Sequence, residues 1–352
     1  MKTTTRALTM VSLAAIAGCG GAANRSTTAT DDAGTITVTG AGATFPAPIY
    51  TKWFHEYGLR RNVQINYQPI GSGGGIRQVL AGTVDFGASD MPMTDEQLAT
   101  AGMKVLHFPT VLGAVVPTYR VAGVSTDLRF TPAALAGIFL GRITKWNDPA
   151  IGDANAGVRL PDAEIVVVHR SDGSGTTFVW TDYLSKVSPE WLDTVGRNTS
   201  VNWPVGLGGK GNDGVAALVK QTPNSIGYVE LIYAVQNSLG YGSVQNAAGT
   251  FVKATVPSVT AAAAAAAASM PADFRVSITN PSRADAYPIC SFTWLLVPVQ
   301  MRDARRGQAV VSFLNWMLTD GQTMAEPLSY APLPAEIIAQ ERRVVSQIRV
   351  GS

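Results

Sequence analysis

Three short segments gather the residue types that could hold a small charged ligand: "GAGATFPAP" at 40–48, "IGSGGGIRQ" at 70–78 and "RSDGSGTTF" at 170–178. Each sets glycine, serine or threonine between a β-branched run and a helical stretch. At such a junction the first amides of the helix lack intrahelical partners, and the helix dipole adds partial positive charge, so the place attracts an anion. Glycine lets the backbone approach a ligand, and the hydroxyls add donors. Singly, each segment also fits an ordinary turn before a helix. The third adds Arg170, whose planar fork can contact two oxygens of an oxyanion as lysine cannot. Asp172, two residues on, is placed to pair with it, although that pair alone also fits a surface ion pair at a strand end.

The same residues fail the tests for catalysis. In "GLGGKGND" Lys210 is followed by glycine rather than Ser or Thr, and Pro204 stands where a P-loop needs its first glycine. Around Ser174 the positions two residues away are Asp172 and Thr176, so there is no nucleophile elbow. His55, His107 and His169 are scattered singly, with no HExxH or paired-cysteine spacing. No catalytic residue, metal or cofactor is expected.

The elements that must position these segments alternate. "TITVTG", "VQINYQPI" and "VDFGASD" read as strands, and "PAPIYTKWFHEYG", "GIRQVLAGT" and "TDEQLATAG" as the helices after them, the last with Thr94 and Gln97 in a capping box. "VLHFPTVLGAVVPTY" runs extended out of this unit. A second unit holds the helix "TPAALAGIFLG", capped by Thr131, the strand "EIVVVHR", a helix after "SDGSG", the helix "GNDGVAALVKQ" and the strand "SIGYVE". The eight alanines at 261–268 read as plain helix. A long apolar strand from Tyr287 and two amphipathic helices, "AVVSFLNWMLTDG" and "PAEIIAQERRVVSQI", return to the first unit. The fold class is α/β in two lobes, 35–110 with 287–352 and 111–286.

The N-terminus reads as an export signal over 1–18, its apolar part too short to span a bilayer. "IAGC" is similar to the lipobox of bacterial lipoproteins, which makes Cys19 the lipidated residue and 19–34 a tether to the membrane; ordinary cleavage with Cys19 incidental is the alternative. Cys290 is then without a disulfide partner and reads as a buried, inert thiol. Without Lys2 and Arg6 the chain carries 25 basic and 25 acidic residues, a balance that argues against nucleic acid as a partner.

Taken with "TVDFGASDMPM", "KWNDPAI", "HRSDGSGTTFVWTDYLSKVSP", "WPVGLGGKGNDGVAA" and "SIGYVE", the chain resembles the PstS family, the phosphate-binding proteins of bacterial phosphate ABC transporters. The resemblance implies two α/β lobes of the type II periplasmic-binding-protein fold with a two-stranded hinge, a monomer outside the cell membrane, and permease subunits as partners. It implies phosphate contacts from Thr44, from Phe45 through its backbone, and from Ser72, Asp90, Arg170, Ser174, Gly175 and Thr176. Gly73, where a second serine is common, and "MPM" after Asp90 depart from the pattern beside those positions. Asp90 by itself also fits a helix cap. Facing phosphate, it would accept the P–OH proton, which sulfate lacks. A secreted phosphatase and a phosphate-sensing surface lipoprotein are the alternatives to import.

Overall fold

A computed structural model describes residues 34–267 and 270–351. The signal, Cys19 and tether readings lie outside the described residues. Among the described residues no helix is long and apolar enough to cross a membrane.

A nine-stranded mixed sheet organises the chain. Its first half places Val63–Gln68, Ile36–Gly42 and Phe86–Ser89 side by side in parallel, then Cys290–Pro298 antiparallel to Phe86–Ser89. The 16-residue strand Val105–Arg120 comes next and belongs to both halves. From Val105 to Ala114 it pairs with Cys290–Pro298; from Val115 to Arg120 it pairs with Ser225–Glu230. Val166–Arg170 and Leu207–Gly209 complete the second half in parallel. The crossing strand is buried at every residue but Arg120, so its near-continuous apolar run reflects cover on both faces rather than alternation. This is the two-lobed fold expected from the sequence, with its strands feeding helices at one edge of each half.

The core follows from the same patterning. Tyr50, Trp53, Phe54 and Tyr57 lie on one face of the helix Ala47–Arg60 and pack with Tyr67, Phe86, Phe313 and Trp316. Phe313 and Trp316 come from the helix Ala304–Met317, so the first of the two late amphipathic helices returns to the first unit as its pattern requires. In the second half Trp180 stacks on Tyr228, 5.1 Å between centroids. The predicted caps form: Thr94 and Gln97 make their reciprocal box, and Thr131 accepts the Ala134 amide. The alanine run continues the helix Val256–Ala267. Cys290 is a buried free thiol whose pKa burial pushes up, as befits an inert residue.

Candidate functional site

Four helices begin at one place between the halves. Thr44 and Phe45 precede Ala47–Arg60; Ser72 opens Ser72–Leu80; Ser174 caps Gly175–Val187 through the Thr177 amide; Asn212 lies in the first turn of Gly211–Gln221. The second of these starts earlier than the sequence suggests, at Ser72 rather than Gly75. Its glycines are there for clearance: a methyl group on Gly75 would lie 2.6 Å from the Ala41 carbonyl oxygen. With four N-termini meeting, the helix dipoles favour negative charge in common.

The side chains explain what kind of anion. Ser72 Oγ accepts the Asp90 amide at 3.2 Å and the Gly175 amide at 3.0 Å. Thr44 Oγ1 accepts from the backbone and side-chain amides of Asn212 at 3.2 and 2.9 Å. Thr176 Oγ1 accepts from Arg170 Nη1 at 3.3 Å and Asn212 Nδ2 at 3.0 Å. A hydroxyl whose two lone pairs are taken can only donate. All three are buried; the Ser72 proton also reaches the Asp90 carboxyl, and those of Thr44 and Thr176 are left for a ligand rich in acceptors.

Arg170 is not a surface residue; its side chain is 1% exposed. Asp172 takes its Nε and Nη2 at 2.7 and 2.6 Å, so the pairing the sequence suggested is itself bidentate. One hydrogen on each terminal nitrogen remains, so the fork offered to an oxyanion is the end of the guanidinium rather than its side. Burial pulls the Asp172 carboxyl up, but the hydrogen bond and charge of Arg170 outweigh it and hold the group below its ordinary value. The pair is neutral as a unit, and dipoles carry the rest of the attraction.

Asp90 closes the arrangement. It caps no helix; Thr94 does that. Its Oδ1 accepts from Thr293 Oγ1 at 2.7 Å, while Oδ2 is buried with no partner. Burial pushes its pKa up to about 7, against the Thr293 bond, the Arg170 charge and the Ser72 hydroxyl. The folded value exceeds the ordinary 3.8, so the folded protein binds the proton more tightly and ligand-free stability falls as pH rises between the two. At ~1.4 kcal/mol per unit the loss is roughly 4 kcal/mol. Asp90→Asn, which cannot ionise, is therefore expected to melt higher than wild type at pH 8 in phosphate-free buffer, with the gap closing by pH 4. Calorimetry at the two pH values checks this, and equal melting temperatures at pH 8 would refute it.

The predicted residues Thr44, Phe45, Ser72, Asp90, Arg170, Ser174, Gly175 and Thr176 are thus brought together, with Asp172 behind Arg170. The halves touch directly: Gly73 N donates to Gly173 O at 2.9 Å, and Tyr233 Oη to the Thr44 carbonyl at 2.5 Å. Sequence reasoning missed Asn212, which bridges Thr44 and Thr176, and Thr293. Asn212 had a signal, since it opens a helix after a short glycine-rich strand as the other three segments do. The histidines lie elsewhere: His55 is exposed, His107 accepts the Met93 amide, and His169 stacks on Trp203. Among the described residues no group of His, Cys, Asp or Glu could hold a metal.

Comparison with known proteins decides the family. A PBP superfamily domain matches residues 25–321. The phosphate-binding protein PstS of Xylella fastidiosa strain Temecula1 is 48% identical over 306 residues, 87% of this chain and 84% of its own. The chain belongs to the PstS family. PstS of Pasteurella multocida is 48% identical over 303 residues, covering 86% and 88% of the two chains. The fold is shared more widely than the sequence. A high affinity periplasmic phosphate-binding protein (PfluDING), solved bound with phosphate, aligns with a TM-score of 0.71 at 22% identity over 88% of this chain and 93% of its own. The phosphate-binding protein of Stenotrophomonas maltophilia aligns at 0.67 and 20% identity, over 87% and 93%.

Proposed function

We propose that this protein binds inorganic phosphate between its lobes and delivers it to the permease of a phosphate ABC importer. Supporting this, its PstS relatives are named for phosphate binding. The observation that carries the reading is the count of protons: the buried hydroxyls of Thr44 and Thr176, which can only donate, opposite one buried carboxylate oxygen that can only accept while ionised. Phosphate with a P–OH proton matches both, offering several acceptors and one donor. The end fork of Arg170, the Ser174 hydroxyl and the amides of Phe45 and Thr176 are the remaining contacts in this reading, with Gly175, whose amide is taken by Ser72 Oγ, letting the backbone come close. Hydrolysis is not part of it, because the Ser174 oxygen is engaged with the Thr177 amide rather than with a base.

The lobes in this reading are 35–110 with 287–352 and 111–286. The exchange of partners along the crossing strand between Ala114 and Val115 supports a hinge near the first boundary. Release of the ligand would then follow from parting Ser72 from Gly175 and Thr44 from Asn212, and the permease would recognise the closed form. Lipidation at Cys19 would keep the monomer at the outer face of the cell membrane.

Titration calorimetry of the phosphate-stripped protein tests the binding step, with saturation at one phosphate per chain expected. Absence of binding would overturn the proposal. Loss of phosphate uptake on deletion would separate import from a sensing role, which deletion would leave with uptake intact.

A further inference from the structure

Glu230 ends the strand Ser225–Glu230 and is fully buried. Its Oε2 accepts the Ile232 amide at 2.9 Å, and its own amide donates to Asn212 Oδ1 at 3.0 Å. Its Oε1 is buried without a hydrogen bond. A methyl group built on Gly113 of the crossing strand would lie 2.9 Å from that oxygen and 2.6 Å from the Phe45 ring, so Oε1 sits where the strand, Phe45 and Glu230 converge. The Tyr330 hydroxyl interacts with this carboxyl and donates its proton to the Phe45 carbonyl at 2.6 Å.

The donor count leaves one consistent arrangement. With its single proton committed to Phe45, Tyr330 Oη can offer Glu230 only lone pairs. An ionised carboxylate has nothing to give them and would be a buried, half-satisfied charge. A neutral acid can donate from Oε1.

We propose that Glu230 is a proton-bearing positioning residue, donating to Tyr330 Oη and so fixing Phe45, while its amide orients Asn212 toward Thr44 and Thr176. Both links cross the cleft, because Glu230 and Asn212 belong to the second half and Thr44 and Phe45 to the first. One buried acid thus latches the closed form without touching the anion. Its titratable neighbours are Asp90, Tyr233 and Tyr330, none of them a cation. Burial raises its pKa well above the usual carboxylate range, outweighing the Ile232 amide and the Tyr330 hydroxyl, which act to lower it, and the charge of Asp90 adds to the rise.

The effect on affinity rests on the phosphate reading, whereas the proton on Glu230 can be detected with no ligand at all. Infrared spectra of the whole protein at pH 7 are expected to show protonated-carboxyl absorption from Glu230, Asp90 and the buried Glu341, of which Glu230→Gln removes one component. In phosphate titrations Glu230→Ala and Tyr330→Phe should each weaken binding roughly tenfold, the cost of a broken buried hydrogen bond. Glu230→Gln, able to accept and donate in the same places, should restore most of what alanine loses. The double variant Glu230→Ala with Tyr330→Phe should be little worse than either single one, since both break one chain. Infrared absorption unchanged in Glu230→Gln, glutamine as damaging as alanine, or wild-type affinity in Tyr330→Phe would each overturn the proposal. Should Glu230→Ala not fold, the glutamine and phenylalanine variants and the spectrum still decide it. Wild-type protein that ignores phosphate would refute the functional reading instead, leaving the infrared component to judge Glu230.

Discussion

At pH 8, Asp90→Asn is expected to bind sulfate more tightly than wild type by roughly tenfold, because a carboxyl with its pKa at about 7 can still admit sulfate by taking up a proton, at a cost of ~1.4 kcal/mol one unit above that value. In wild type the carboxyl, with its pKa at about 7, is mostly ionised at that pH and presents Oδ2 as a bare acceptor. Phosphate meets it with a proton. Sulfate meets it with an oxygen, so that two negative groups face each other in a site shielded from water. Asparagine can keep the Thr293 hydrogen bond through Oδ1 and turn a donor toward the sulfate oxygen.

The raised pKa adds a second arm that residue type alone does not reveal. As pH falls through about 7, Asp90 gains a proton and becomes a donor itself, so sulfate binding to wild type should strengthen toward that of the variant. The variant has no such titration at this position. Competition of sulfate against labelled phosphate from pH 5 to pH 8 reads both arms. Sulfate affinity that is the same in the two proteins at pH 8 would remove Asp90 from the selectivity mechanism.

How far the sequence leads can be judged at individual residues. The hydroxyls of 40–48, 70–78 and 170–178 were legible because three glycine- and hydroxyl-rich strand-to-helix junctions together point to an anion, although each alone also fits a turn. Arg170 and Asp172 were legible as a pair, but not as a buried one, since adjacency in sequence says nothing of cover. Asn212 was legible at the start of the helix "GNDGVAALVKQ", but its segment was tested for ligand chemistry only against the P-loop pattern, and failing that pattern hid its place in the site. Thr293 had no local signal, sitting in an apolar strand 203 residues from the carboxylate it bonds. Glu230 and Tyr330 were equally silent, because their roles depend on a contact across the cleft. The exchange of partners within the crossing strand leaves no mark in a run of residues that are apolar for both halves.

Gly175→Ala is expected to weaken phosphate binding by roughly a hundredfold or more while leaving the ligand-free protein folded. Gly175 begins its helix with ordinary negative φ, so alanine suits the local backbone and has the better helix propensity. The difficulty lies across the cleft. A methyl group there would stand 2.4 Å from Ser72 Oγ, 2.5 Å from Asp90 Oδ2 and 2.6 Å from Asp90 Cβ, all belonging to the opposite half. Ser72 cannot retreat without losing the Gly175 and Asp90 amides it accepts, and Asp90 is tied to Thr293. Closure must therefore stop short, which removes the Asp90 acceptor and the Thr44 donor from the anion together. Two such interactions with a charged ligand are worth roughly 3–6 kcal/mol, the source of the hundredfold figure. Gly173→Ala is the control: its methyl would come no closer than 3.3 Å to Gly73 Cα, so a milder loss is expected from the same loop. Calorimetry gives the affinities, and small-angle scattering with and without phosphate should show compaction in wild type that Gly175→Ala lacks. Wild-type affinity in Gly175→Ala would mean that Ser72 and Asp90 do not close on this helix, and the geometry argued for the bound state would fall with it.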